Sequence, residues 1–224
     1  DRMSHLNMRP TNFQNEKQAV QEERHMRIED NPTYLAYMKL NAIAYKNNPN
    51  RHPIIGWQSD INQYNIKDTQ QWYKKWYAPN NAILVVMGDF KPKSLMKTVN
   101  RYFRNIPKKN LPSLKNYHEL PFDAQRVMDV KTAQTRTPKL IMAYNTPTLS
   151  SLPPNEQWKS YALFIISGLL DANDYSRLPK NLERDQAIAS DIKTYYSLYG
   201  LHPGLFTIWA TPQPTIQLNA LEQA

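Results

Sequence analysis

Apolar and polar positions along the chain fall into blocks, some with a period near three and a half residues and others in short continuous runs. Phe13, Ala19, Val20 and Met26 recur at near-helical spacing among many charges. This predicts a first helix over 12–30, with Thr11 as N-cap and Asn31-Pro32 as its stop. Thr33 then caps a second helix, Tyr34 to Tyr45, which Leu35, Met38, Leu40, Ala42 and Ile43 mark as mostly buried. Asn47 to His52 reads as a polar loop, and Pro53 to Trp57 leads into a turn. Asp68 caps a short helix rich in aromatics, Trp72, Tyr73, Trp76 and Tyr77. Ala82 to Met87 is an apolar run of strand length ended by Gly88-Asp89. Helical spacing returns from Ser94 to Ile106 through Leu95, Val99, Tyr102 and Phe103.

Residues 107–125 carry Pro107, Pro112 and Pro121 among polar positions and show no period, which reads as a linker. Beyond it the pattern restarts. Val127 to Val130 and Leu140 to Tyr144 read as strands, Glu156 to Ala172 as a buried helix and Arg177 to Asp185 as a shorter one. Ile188 to Tyr199 and Leu205 to Ala210 read as two more strands, with Gly200 and Gly204 in the turn between them. The order suggests two α+β units of related design, 1–106 and 126–224, joined by 107–125. The chain opens Asp1-Arg2-Met3 and closes just after an element begins, so both ends read as cuts through a longer protein.

Composition narrows the chemistry. A length of 224 residues with 41% hydrophobic positions supports a real core, and no apolar run reaches the ~18–20 residues of a membrane helix. With no Cys, thiol nucleophiles and Cys-ligated zinc are excluded. Five glycines, at 56, 88, 168, 200 and 204, leave no Gly-rich phosphate loop. The net charge of +9 sits in the first half, where residues 1–112 hold 18 Lys/Arg against 9 Asp/Glu, while 113–224 hold 10 of each. These basic residues stand singly or in pairs and form no stripe, which argues for a solvated surface and against a nucleic-acid site.

Glu16 and Glu23 stand seven apart on the first helix, and at ~100° per residue they face the same way to within about 20°. Val20 lies near that face and Arg27 continues it. Two stacked carboxylates can serve as a metal ligand and its supporting neighbour, or simply form a charged solvent face. Glu22 beside Glu23 leaves the choice of ligand open on spacing alone. The five His, at 5, 25, 52, 118 and 202, include no pair four apart, so neither H-E-x-x-H nor H-x-x-E-H is present. No G-x-S-x-G occurs either.

The ordered segments nevertheless resemble a known family. Asp1-Arg2-Met3, Phe13-x-x-Glu16-Lys17-x-x-Val20-x-x-Glu23-Arg24 and Asp30-Asn31-Pro32 resemble the inner helices of the pitrilysin/insulinase zinc peptidases, which include the mitochondrial processing peptidases. Pro53-Ile54-Ile55-Gly56-Trp57 with Asp60-Ile61, then Trp76-Tyr77-Ala78-Pro79-Asn80-Asn81-Ala82 and Val85-Val86-Met87-Gly88-Asp89-Phe90, look like further segments of that family. Ser176-Arg177-Leu178 and Gly204-Leu205-Phe206 match its second, related domain. The resemblance implies an α+β, LuxS/processing-peptidase-like metallohydrolase fold, two related units of antiparallel sheet covered by helices.

It also implies a zinc-dependent endopeptidase. In that family two His of an H-x-x-E-H motif and a downstream Glu hold zinc, and the motif's own Glu activates water for peptide hydrolysis. The downstream ligand falls on Glu23 and a supporting carboxylate on Glu16. The His motif would lie upstream of Asp1, so this chain alone is expected to bind zinc poorly and to be inactive. Where the family's second domain often carries an Arg and, seven residues on, a Tyr that hold substrate, this chain has Glu183 and Ser190. That departure resembles the zinc-bearing subunit of bacterial members built from two unlike subunits. The implied partners are a peptide substrate and a zinc-less paralogous subunit or a second copy, with no nucleic acid and no membrane span. The implied setting is the periplasm or cell envelope of a bacterium. The alternative is a non-catalytic partner or scaffold subunit of the same fold.

Overall fold

The computed structural model describes residues 3, 5–114, 117–122, 124–135 and 137–224. Asp1-Arg2, which open the resemblance, and positions 115, 116 and 123 of the expected linker lie outside the described residues. The chain divides into two compact units, one of residues 1–24 and 55–116, the other of 25–54 and 117–224.

The first unit is helical. Helix α1 spans Pro10–Arg24, α3 Gln58–Gln63, α4 Ile66–Trp76 and α5 Pro92–Phe103, with α2 in the other unit. Helix α1 starts ahead of the expected Thr11 cap: Phe13 N–H donates to the Arg9 carbonyl at 2.9 Å, and Pro10 takes the first helical position, where a missing N–H costs nothing. Asp68 does not cap α4. Asn65 does, its side chain accepting from Asp68 N–H at 3.0 Å. Helix α3 went unread in the sequence because six residues give too little period to see.

The expected strand over Ala82 to Met87 forms no ladder among the described residues. Ile83, Val85 and Met87 are nevertheless more exposed than Leu84 and Val86, the two-residue alternation of an extended segment. Its hydrophobic pattern is that of a strand, but among the described residues no neighbouring strand pairs with its backbone.

The second unit holds the sheet. Helix α2 spans Pro32–Ala44, capped by the Asn31 side chain accepting from Tyr34 N–H at 3.2 Å, not by Thr33. Pro32 therefore begins this helix as well as ending the one before it. Strand β1 is Leu140–Thr146, α6 Trp158–Asp171, β2 Ala189–Tyr196, β3 Gly204–Pro212 and α7 Leu218–Gln223, with a π-helical segment over Pro179–Asp185. The strands are antiparallel in the order β1-β3-β2, with Leu140 opposite Ala210 and Ile192 opposite Ala210 on its other side. Val127 to Val130 stays outside the sheet, exposed except for a half-buried Val130, contrary to its apolar pattern.

Residues directly opposite one another share a sheet face. One face carries Leu140, Ile192, Ile208 and Ala210, which pack with Leu182 and Leu221 from the π-helical segment and α7. The other carries Trp209, whose ring meets Tyr37 of α2 at 5.7 Å and Tyr195 at 6.0 Å. The unit is α+β, an antiparallel sheet covered by helices. The expected second sheet, in the first unit, is not formed among the described residues.

Residues 117–122 are tied to the α2 end of this unit. The Glu119 carboxylate accepts the backbone N–H groups of Lys46, Asn47 and Asn48 at 2.6, 3.1 and 2.7 Å. The Phe122 ring has the Lys46 ammonium at 4.7 Å and the Arg126 guanidinium at 3.8 Å from its centroid, and Arg126 donates to the Ile43 carbonyl at 3.1 Å. Three successive N–H groups around one carboxylate make an anion nest that the chain fills itself.

Candidate functional site

Helix α1 is oriented by a polar stripe rather than an apolar one. Lys17 Nζ donates to the carbonyls of Asn62 and Tyr64 at 2.8 and 3.1 Å, and Gln21 Nε2 donates to Asn62 Oδ1 at 2.9 Å. Arg24, buried, donates to the Gly56 carbonyl at 2.6 Å. Residues 17, 21 and 24 lie within about 60° of one another around an α-helix, so the three contacts fix one rotation of α1 against α3 and the loop before it. Gly56 makes that loop possible: its φ of +93° is left-handed, and an added Cβ would come within 3.3 Å of the Tyr64 hydroxyl.

Glu16 and Glu23 both lie in the regular part of α1, so their seven-residue spacing keeps them on one face. That face stands about 100–120° round from the docking stripe. Glu16 is exposed and Glu23 half-buried, and Glu22 is exposed. Val20 flanks the same face. Arg27 does not continue it, because His25–Glu29 is π-helical, closed by Asp30 N–H to the His25 carbonyl at 3.0 Å, and the 100° step lapses there.

No third donor among the described residues completes a site around these carboxylates. Among the described residues no group of three His, Cys, Asp or Glu side chains is placed to hold a metal ion. His25 Nε2 stands 3.7 Å from Asp30, and His202 packs edge-on to Tyr117 at 5.8 Å. Among the described residues, then, the donors near Glu23 fall short of the three protein ligands that a zinc ion needs. Two clefts of the first unit lie away from this face: one is lined by Leu6, Tyr73, Tyr77, Pro107 and Lys109, the other by α5 residues such as Lys97 and Arg101.

Glu183 and Ser190 are both committed to backbone. Strand β2 bulges at Ser190, between Ala189 and Asp191, and the Ser190 hydroxyl donates toward the carbonyls of Thr211 and Pro212 at 3.2 and 3.3 Å. Glu183 Oε1 accepts from Ile192 N–H at 2.7 Å, and Asp171 Oδ2 accepts from Thr194 N–H at 2.8 Å. Strand β2 is an edge of the sheet, so two carboxylates close its outward N–H groups. The sequence offers no sign of Asp171 in this role: it is one carboxylate at the end of an apolar helix.

In sequence, the chain matches the family described as Peptidase M16 inactive domain over residues 63–224, well over half its length, and belongs to that family. It is 25% identical over 225 residues to the zinc protease PqqE of Helicobacter pylori, a match covering 99% of this chain and 49% of that protein. The structure of a protease from Helicobacter pylori superposes with a TM-score of 0.83 at 24% identity, covering 99% of this chain and 52% of that one. The periplasmic protease PqqL of Escherichia coli superposes at 0.75 with 12% identity, over 94% of this chain and 23% of that one. The chain spans about half the length of the curated relatives it matches. The matched family stretch begins after α1, so Glu16 and Glu23 lie outside it.

Proposed function

We propose that the chain is part of a zinc endopeptidase of this family acting on unfolded peptides, with Glu23 as one zinc ligand and Glu16 as its supporting carboxylate. The observation that carries this reading is the rotation of α1. Lys17, Gln21 and Arg24 hold the helix so that a half-buried Glu23 and, one face-repeat away, Glu16 project together from a flank that makes no part of the docking stripe. A stacked pair on a rigid helix suits a ligand and the group that orients it. The two His ligands would come from upstream of this chain, in an H-x-x-E-H motif, and the chain alone would be inactive. In this reading residues 1–106 are the back of the zinc-site domain and 126–224 the front of the second.

The backbone duties of Glu183 and Ser190 support a zinc-bearing subunit that takes substrate contacts from a zinc-less paralogue. The relatives named as zinc proteases, together with the structural likeness to a protease described as periplasmic, favour a bacterial envelope protein. A non-catalytic partner subunit is the second reading, and the match to the inactive type of domain favours it.

Reading the coding sequence ahead of Asp1 and assaying its full product separate the two. The first reading expects an intact H-x-x-E-H motif and cleavage of an unfolded peptide that rises when the zinc-less paralogue is added. A degraded motif, or no cleavage with the paralogue present, establishes the second.

A further inference from the structure

Helix α6 is amphipathic the wrong way round for a helix seated on a sheet. Trp158, Tyr161, Phe164, Ile165, Ile166 and Leu169 are each 44–63% exposed. Trp158, Tyr161, Ile165 and Leu169 fall within about 80° of one another around the helix. The opposite side carries Ser160, fully buried, Ser167, whose hydroxyl lies 3.0 Å from that of Thr194, and Asp171 on Thr194 N–H. A surface helix ordinarily turns its apolar stripe inward. Here Ser167 and Asp171 bond to Thr194 on the sheet side, where Leu163 and Leu170 are half-buried, while most of the bulky apolar side chains face out.

We propose that the outer face of α6 is a permanent packing surface for polypeptide outside these 224 residues, in the part of the protein that the roughly twofold longer relatives possess and this chain does not span. The make-up of the face selects that occupant. It is aromatic and aliphatic with no charge at its centre, the composition of an obligate interface rather than of a transient peptide-docking site. A membrane-surface helix carries Lys and Arg along its polar side, whereas α6 has Lys159 alone, paired with Glu156. An exposed patch of this kind on a finished protein would invite association.

The chain has no Cys, so an introduced thiol is a clean probe. Ile165→Cys, with Tyr175→Cys as an exposed control, is placed in the 224-residue chain and in the longest product of its reading frame. Maleimide labelling is then followed residue by residue. The expected result is rapid labelling of both sites in the short chain, with Ile165→Cys slowed about tenfold or more in the long product while the control stays fast. Three results would overturn the proposal. These are equal labelling in both products, protection in the short chain that grows with its concentration (a second copy), and protection that appears only with anionic phosphatidylglycerol vesicles. A reading frame encoding nothing beyond these residues overturns it as well.

Discussion

The Asn80 side chain and the Lys109 backbone exchange two hydrogen bonds of 3.0 Å, Nδ2 donating to the Lys109 carbonyl and the Lys109 N–H donating to Oδ1. The Lys109 ammonium then donates to the carbonyls of Lys74 and Tyr77 at 3.0 and 2.8 Å, closing the C-terminal end of α4. An Asn at this position thus stands in for a strand partner and fastens the start of the Pro-rich segment. Asn80→Ala is expected to destabilise the first unit by about 1 kcal/mol, the low end for two bonds that are solvent-exposed. Amide exchange at Lys109 checks it: the N–H should exchange faster in Asn80→Ala than in the parent chain. Asn80→Asp keeps the acceptor and loses the donor, and should fall between the two.

Glu119 gives a larger effect. Its removal leaves three backbone donors of the second unit without their acceptor, so Glu119→Ala should cost roughly 2–3 kcal/mol in denaturant unfolding. Glu119→Gln keeps one carbonyl oxygen in the nest and should cost less than half as much.

Tyr45 makes stability depend on alkaline pH. Burial pushes its phenol well above the ordinary tyrosine value of about 10; the Asn50 hydrogen bond opposes the shift, and Tyr37 and Glu119 add to it. Above pH ~10 the unfolded chain releases this proton while the folded chain keeps it. The contribution is therefore complete below that pH and is lost as pH rises, by up to about 1.4 kcal/mol per unit. Tyr45→Phe should unfold with a shallower alkaline slope than the parent, and an unchanged slope would remove Tyr45 as the cause.

Carboxylates close the β2 edge, and opening that edge should show. Asp171→Ala and Glu183→Ala each leave one outward N–H of β2 without its acceptor, at a cost of about 1.5–3 kcal/mol. The double variant exposes Ile192 and Thr194 N–H groups together, and light scattering should detect its self-association. Restoring the family pair, as Glu183→Arg with Ser190→Tyr, should destabilise the unit rather than create a substrate contact. The Arg cannot accept from Ile192, and the Tyr must fit where a bulge now holds a small hydroxyl.

The sheet was legible where apolar alternation coincided with a partner: Leu140 to Tyr144, Ile188 to Tyr199 and Leu205 to Ala210 all lie on or around strands. Ala82 to Met87 and Val127 to Val130 have the same kind of pattern and form no ladder among the described residues, because a strand depends on a neighbour that its own residues do not specify. Caps slipped by two or three residues in each case. Asn31 and Asn65 compete with Thr33 and Asp68 for the same turn, and nothing local decides which side chain reaches the N–H. Hydrophobicity predicts a buried α6, whereas its bulky apolar residues are exposed, because an apolar pattern says nothing of what would cover it. Glu16 and Glu23 were visible as a spaced pair. Asp171 and the nest around Glu119 were not, because each depends on backbone groups brought together by the fold.

In the proposed function Glu23, and not its neighbour Glu22, ligates zinc in the full protein. Zinc content per polypeptide of the longest product of the reading frame, measured by mass spectrometry after dialysis against a weak chelator, tests this most directly. The account predicts close to one zinc in the parent and in Glu22→Ala, a clear loss in Glu23→Ala, and a smaller loss in Glu16→Ala. Full zinc occupancy in Glu23→Ala, or equal loss in Glu22→Ala, would contradict it.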